Sequence, residues 1–472
     1  MSAFEITHCK ETELTESRFS RLSLPQSMLD NLNILGYKQM TPIQEKSLPQ
    51  VLEGRDLIAK AKTGSGKTAA FAIGLLMKIR QRNFGCQALV MCPTRELAAQ
   101  VANEIRRLAR FQQNIKVVTL SGGQPIGPQI GSLEHGAHIV VGTPGRIQDH
   151  LRKRTLDLDQ VSTLVLDEAD RMLDMGFIEA IENIISYTPD ERQTLLFSAT
   201  YPAGIKKLSS AFQTNPVEVS IDEEHGHQHI EQLFYQAENS EKPKMLIRLL
   251  EHYDPDSSVI FCNTKQACKD LGSDLYEEGY KPLVLHGDME QRERDQMLVR
   301  FANKSSTILI ATDVAARGLD IDNLSAVINY DLTRDPEVHV HRVGRTGRAG
   351  KKGLALTLYT SREQYKLDQV SEYLNMSLVY GDPDELMTNA FGPSQAPMVT
   401  LTIDGGRKNK VRAGDILGAL TGDAGIAGDQ VGKINITDFV AYVAIKRDSA
   451  GTAQSRLENG KIKGRQFRVR RV

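Results

Sequence analysis

"DLIAKAKTGSGKTAAFAIGLLMKI", Asp56 to Ile79, is the stretch on which the fold turns. It opens as a short apolar strand and closes as a helical pattern. Between them lies a glycine-rich turn, Ala61 to Thr68, ending in Gly-Lys-Thr. Strand, such a turn and helix together make a phosphate loop, here with Ala61 where the common pattern has its first glycine. Thr63, Gly64, Ser65 and Gly66 form the cradle. Gly64 and Gly66 let backbone N–H groups turn toward phosphate oxygens, and the following helix adds its positive N-terminus. Lys67 is placed to reach the β- and γ-phosphates, and Thr68 to hold Mg²⁺ through its hydroxyl.

Working outward, residues 19–214 alternate short apolar runs with helical patterns: "DLIAKA", "QALVMCP", "KVVTLSG", "HIVVGTP", "TLVLDEAD" and "TLLFSAT". Continuous apolar runs are what a parallel sheet covered on both faces requires. The stretch "PVEVSIDEEHGHQHIEQLFYQ" reads as a linker, after which the series restarts with "SSVIFCNT", "PLVLHGD", "STILIATD", "SAVINYD" and "GLALTLY". A second α/β domain over 215–380 is expected, then a loop-like linker over 381–396. The end, 397–472, reads β-α-β-β-α-β, a small split-βαβ sheet domain. With a polar tail over 1–18, 472 residues are too many for one core and suit this division.

The first series contains "LVLDEADRMLD", Leu164 to Asp174, an apolar run ending in Asp167, Glu168 and Asp170. Clustered carboxylates at the end of a buried strand repel and are costly to desolvate. In an open α/β sheet, ligands sit beyond the carboxyl ends of the strands. There Asp167 would help position Mg²⁺, and Glu168 would orient and deprotonate an attacking water. The metal and Lys67 supply the compensating charge. Asp170 is left open between nucleotide and neighbouring loops.

Composition adds partners rather than fold. The net charge of −1 hides an asymmetry: from Pro397 on there are 14 Lys and Arg against 7 Asp and Glu, a balance of +7, leaving −8 on the rest. A basic terminal module on an acidic body suggests a polyanionic partner. Five scattered cysteines without a CxxC pair (Cys9, Cys86, Cys92, Cys262, Cys268) point to thiols in a reducing compartment and no structural metal. The start is unlike a signal or transit peptide, and no apolar run approaches a membrane span. A cytoplasmic protein, with no membrane partner, is expected.

Phosphate loop and DEAD tetrad together resemble the DEAD-box ATPases of helicase superfamily 2, and the family's other motifs follow in order. The resemblance implies two tandem RecA-like parallel-sheet domains, ATP and Mg²⁺ as cofactors, and RNA as partner. "GYKQMTPIQ" is similar to the family's adenine-reading motif, with Gln44 reading the base and Tyr37 and Phe19 packing the ring. "PTREL" with Pro93, Thr94 and Arg95, the Gly122–Gly123 pair, and "TPGR" with Thr143, Gly145 and Arg146 match its RNA-backbone motifs. "SAT", with Ser198 and Thr200, resembles the element coupling hydrolysis to strand separation, a role the resemblance extends to Asp170 and His341. Farther on, Thr264, then Gly287, Gln291 and Arg294, then Thr312 and Asp313 match a second RNA-contact set. Asp320 is implied at the ribose, and Arg345 and Arg348 of "HRVGRTGR" as arginine fingers. Catalysis then falls to Lys67, Glu168, Arg345 and Arg348. Because these parts are split between two domains, hydrolysis would require both to close on ATP, with RNA and ATP favouring each other.

The terminal module's element order is similar to an RNA-recognition motif, so a small α+β RRM-like domain is expected. "KINITDFVAYVAI" stands where the aromatic signature would be, without its full pattern. Phe439 and Tyr442 would point to opposite faces of one strand, so at most one is a stacking platform. Arg407, Lys408 and Lys410, and Arg465, Arg468, Arg470 and Arg471, are candidate phosphate contacts. A DEAD-box core with such a module closely resembles a bacterial subfamily acting in large-subunit ribosome assembly, whose module grips a hairpin of 23S ribosomal RNA in the immature subunit. Competing readings are an RNA clamp without turnover, a DNA translocase of the same superfamily, and a terminal module that binds protein. Self-association is left open.

Overall fold

A computed structural model describes residues 18–61, 64–201, 203–221, 230–316, 324–347, 352–387, 392–422 and 425–472. The chain divides into two compact units, the first carrying one sheet and the second two.

The first sheet consists of β1 (Leu57–Lys60), β2 (Ala88–Met91), β3 (Val117–Leu120), β4 (Ile139–Gly142), β5 (Thr163–Asp167), β6 (Gln193–Ser198) and β7 (Val217–Ser220). All pairs are parallel, in the order β3-β4-β2-β5-β6-β1-β7. Successive residues feed opposite cores: Leu57 and Ala59 join one apolar cluster and Ile58 the other, as do Val165 against Leu164 and Leu166. That is why these runs are continuously apolar rather than alternating. The helix after the phosphate loop, Lys67–Lys78, is buried on nearly all sides, and a Cβ on its Gly74 would collide with Val51.

The second unit repeats the plan with β8 (Ile230–Gln236), β9 (Ser258–Cys262), β10 (Leu283–Leu285), β11 (Ile308–Thr312), β12 (Ala326–Asn329), β13 (Gly353–Tyr359) and β14 (Val379–Tyr380), in the order β10-β11-β9-β12-β13-β8-β14. Two boundaries differ from expectation. The linker reading spanned β7 and β8, and the first domain does not stop at 214, because Val217–Ser220 pairs with β1 along its whole length. β7 is a short edge strand with one buried side chain, Val219, so it lacks the apolar run that marks an interior strand. At the other boundary, Val379–Tyr380 pairs with β8 just before the expected loop-like linker over 381–396. Beyond it Leu386 is buried in the second core and Arg248 donates to the Pro383 carbonyl at 2.5 Å, so this segment is anchored.

The third sheet has β15 (Met398–Ile403), β16 (Val431–Ile436), β17 (Ala441–Lys446) and β18 (Val469–Arg471), antiparallel in the order β16-β17-β15-β18. Helices Ala413–Thr421 and Ala450–Asn459 cover one face, where Leu401, Ile403, Val443 and Ile445 form the core. The opposite face carries Thr400, Thr402, Tyr442 and Ala444, and these are buried too. Within this unit the face is closed by the turn after helix Gln291–Ala302. Asn303 Nδ2 donates to Thr400 Oγ1 at 3.2 Å, the Ser305 and Thr400 hydroxyls share a 2.8 Å bond, and Met398 N donates to the Lys304 carbonyl at 3.3 Å.

Candidate active site

The nucleotide machinery gathers at the carboxyl ends of β1, β6 and β5, neighbours in the sheet. Gly66 caps the following helix at φ +95°, and a Cβ there would collide with the Gln44 amide; both facts require glycine. Lys67 is buried, and its Nζ donates to the Ala61 carbonyl at 2.6 Å. Gln44 is buried with one function of its amide on each side: Oε1 accepts from Thr41 N at 3.0 Å and Nε2 donates to the Gly66 carbonyl at 3.0 Å. An amide has two N–H donors and two lone pairs, so one of each is left for an adenine edge. The residue expected to read the base thus also braces the phosphate loop. Phe19 and Tyr37 meet edge to face at 6.2 Å, and the Tyr37 hydroxyl donates to Glu104.

Asp167, Glu168 and Asp170 are all buried at the end of β5. Burial pushes the Asp167 carboxyl up to about 7; Lys67 pulls it down and Glu168 pushes it further up. Oxygen donors from Asp167 and the Thr68 hydroxyl suit a hard dication, whose charge would offset this burial. Glu168 sits in the left-handed region at φ 53°, costing about 1–2 kcal/mol. Its carboxylate lies 3.3 Å from the Arg171 guanidinium, with both side chains buried. Arg171 was missed from the sequence, although its i+3 spacing from Glu168 on a helix start was a signal.

Asp170 resolves the question left open. Its Oδ2 accepts from Ala199 N at 3.0 Å, Thr200 N at 2.9 Å and Thr200 Oγ1 at 3.0 Å, and its Oδ1 from Arg171 N at 3.0 Å. Ser198 accepts from Asp170 N through its hydroxyl at 3.3 Å and from Ala61 N through its carbonyl at 3.0 Å. Phosphate loop, Ser198, Asp170 and Thr200 therefore form one bonded chain.

At the same edge of the sheet, the ends of β2, β4 and β3 bring the other expected group together. Thr94 caps the next helix, accepting from Leu97 N at 3.2 Å, and Pro93 precedes it. Arg95 lies over Gly122 and Gly123: a Cβ on Gly123, at φ +77°, would collide with Arg95 Nη1. Thr143 N donates to the Leu120 carbonyl at 3.0 Å, Gly145 is open, and Arg146 donates to the Gln124 carbonyl at 2.9 Å.

In the second unit Thr264 and Gly287 follow strands β9 and β10, and Thr312 ends β11, which lies between them. Thr264 caps its helix, accepting from Ala267 N at 3.0 Å; Arg294 donates to the His286 and Ala315 carbonyls, and Gln291 to Asp295. Thr312 is buried and its hydroxyl accepts from Ala315 N at 3.3 Å, while both oxygens of Asp313 are held by Arg342, at 2.6 and 2.7 Å. Arg342 thus neutralises the Asp313 carboxylate as a bidentate pair, and the Thr312 hydroxyl keeps its own proton to donate. Arg342 also donates to Asn263, Asn329 and the Asp331 carbonyl and stacks 5.0 Å from Phe261. It is the hub of this unit and was missed, hidden in a basic string. His341 and Arg345 lie on the same helix and just beyond it, Arg345 buried. Thr63, Asp320 and Arg348 lie outside the described residues.

The thiols of Cys86, Cys92, Cys262 and Cys268 are free and buried. Among the described residues no helix is long and apolar enough to cross a membrane, and no cluster of possible metal ligands is found.

Comparison with known proteins matches residues 41–208 to the DEAD/DEAH box helicase family, 241–350 to the helicase conserved C-terminal domain, and 400–471 to the DbpA RNA binding domain. The chain is 52% identical to the ATP-dependent RNA helicase DbpA of Escherichia coli, over 96% of this chain and 99% of that one. It is 38% identical to the DbpA of Bacillus subtilis, over 97% and 99%. Among solved structures it is similar to S. cerevisiae Dbp5 bound to RNA and ADP BeF3, with a TM-score of 0.72 and 30% identity, covering 78% of this chain and 96% of that one.

Proposed function

The chain belongs to the DEAD-box family of ATP-dependent RNA helicases, with a DbpA-type RNA-binding domain, and on that premise we propose that it acts on 23S ribosomal RNA during assembly of the large subunit in the cytoplasm. The observation that carries the reading is the terminal module, a β-α-β-β-α-β sheet with a balance of +7, whose exposed cations include Arg407, Lys408 and Lys463 in loops and Lys433, Lys446, Arg470 and Arg471 on strands.

In this reading Phe19, Tyr37 and Gln44 hold adenine, and Asp320 the ribose. Thr63, Gly64, Ser65, Gly66 and Lys67 cradle the phosphates. Thr68 and Asp167 would hold Mg²⁺, which supplies charge neutralisation at the β- and γ-phosphates when bound. Glu168, oriented by Arg171, takes the proton of the attacking water, and Arg345 and Arg348 stabilise charge on the transferred phosphoryl group. Asp170, Ser198, Thr200 and His341 transmit the nucleotide state to bound RNA. Pro93, Thr94, Arg95, Gly122, Gly123, Thr143, Gly145 and Arg146 on one unit, and Thr264, Gly287, Gln291 and Arg294 on the other, grip the RNA backbone. Backbone contacts carry little sequence information, so targeting falls to the terminal module.

The test is steady-state ATP hydrolysis with a 23S fragment around the peptidyl-transferase region, an unrelated structured RNA, or none. Strong activation by the ribosomal fragment alone, lost on reversing the charges of Arg407, Lys408 and Lys410, is expected. Equal activation by both RNAs would refute the targeting.

A further inference from the structure

We infer that Phe439 is the module's stacking platform for an unpaired RNA base, presented at a hairpin tip and not on the sheet. The inference rests on the reading of the module as RNA-binding and names how it holds its ligand. The module has three aromatic residues, Phe439, Tyr442 and Phe467. Tyr442 faces the sheet surface that the Asn303–Ser305 turn closes, and it is buried. Phe467 lies against Gly405, so closely that a Cβ there would collide with its ring, and it packs on the module's core. Phe439 alone stands out, 69% exposed, and it belongs to no apolar cluster among the described residues.

A single exposed apolar side chain is ordinary. What sets this one apart is its mounting. The tip Thr437–Val440 is closed by Thr437 N donating to the Val440 carbonyl at 2.8 Å and by the Thr437 hydroxyl bonding the same residue. The tip is then fastened to the neighbouring basic loop: Arg407 N donates to the Thr437 carbonyl and Lys408 N to the Asp438 carbonyl, each at 2.9 Å. That approach requires Gly406, since a Cβ there would strike the Thr437 and Asp438 carbonyls. Lys410 joins through its own carbonyl, which accepts from Lys463 Nζ at 3.2 Å. The backbone that carries the exposed ring is thus fastened to the loop of Arg407 and Lys408, to which Lys463 is bonded, and the Asp438 carboxylate lies 3.9 Å from the Arg407 guanidinium. Rigid aromatic face plus flanking cations is the chemistry of a nucleotide base with its phosphates. The fold does not need the ring; a single-stranded loop of RNA does.

The test uses the full chain and a 23S peptidyl-transferase hairpin carrying 2-aminopurine at each loop position in turn, with a blunt duplex of the same stem as control. Wild-type protein is expected to quench one loop position on binding. Phe439→Ala is expected to weaken hairpin binding about ten-fold and abolish the quench, with an unchanged salt slope. Phe439→Tyr should retain both, and Lys408→Ala should lower the salt slope. A thermal melt confirms that each variant is folded. Wild-type affinity in Phe439→Ala, an equal loss on the blunt duplex, or no quench at any position would overturn the inference. So would full binding by Phe439→Leu, which keeps the bulk without the aromatic face and would assign the tip to a protein surface. If Arg407→Ala and Lys408→Ala leave binding unchanged as well, the RNA-binding reading of the module fails; if they weaken it while Phe439→Ala does not, only the stacking fails.

Discussion

Replacing Asp170 by alanine removes the acceptor on which three donors converge, Ala199 N, Thr200 N and Thr200 Oγ1, and a fourth at Arg171 N. Hydrogen bonds to a charged acceptor contribute about 1.5–3 kcal/mol each when measured singly. They are not additive here, because Ala199 and Thr200 are half-buried and water replaces part of what is lost. Discounted accordingly, Asp170→Ala should destabilise the first unit by about 3 kcal/mol. Asp170→Asn keeps one carbonyl oxygen for the three donors and should cost about half as much. Urea unfolding gives the global cost, and amide exchange at Ala199 and Thr200 gives the local one. Because the phosphate loop is bonded to Ser198 through the Ala61 amide, ATP binding should survive while hydrolysis no longer drives duplex separation. Unchanged exchange at both amides with unwinding intact would refute this reasoning. Loss of ATP affinity in both variants would instead place Asp170 on the nucleotide.

Other outcomes follow from the same geometry. Lys67→Met should reduce ATP hydrolysis by about 10²–10³-fold, the effect of removing one charge-stabilising donor, measured with saturating RNA. Arg342→Ala leaves the Asp313 carboxylate without its bidentate partner and should destabilise the second unit by about 3–5 kcal/mol in urea; Arg342→Lys should not restore it, having no fork to match. Burial pushes the Asp167 carboxyl up to about 7, so its charged form is penalised by the fold and stability is lost as pH rises toward 7. Asp167→Asn should therefore raise the unfolding free energy measured in urea at pH 8, by up to about 4 kcal/mol, and leave it unchanged near pH 4; saturating Mg²⁺ and ATP should shrink the difference.

Much of this was legible in the sequence because it is local. A phosphate loop needs its glycines, lysine and threonine within eight consecutive residues, between a strand and a helix, and Ala61 to Thr68 displays all of them. The interior strands announced themselves because both faces of the sheet are covered, which forces apolar residues at every position. The edge strands β7 and β14, and β8 beside β14, did not. Their composition is mixed, and pairing partners rather than their own residues make them strands.

What only the tertiary structure decided is which polar group meets which. Asp170 belongs to a loop about thirty residues away, and Asp313 to Arg342, because chain crossings place their donors there; no spacing encodes it. The two aromatics of "DFVAY" looked alike on paper. One is buried because the sheet face it shares with Thr400 is closed by a turn nearly a hundred residues upstream, and the other is exposed because a two-residue tip holds it off the sheet. Periodicity says which side a residue takes. What lies on that side is set by contacts between segments distant in the chain.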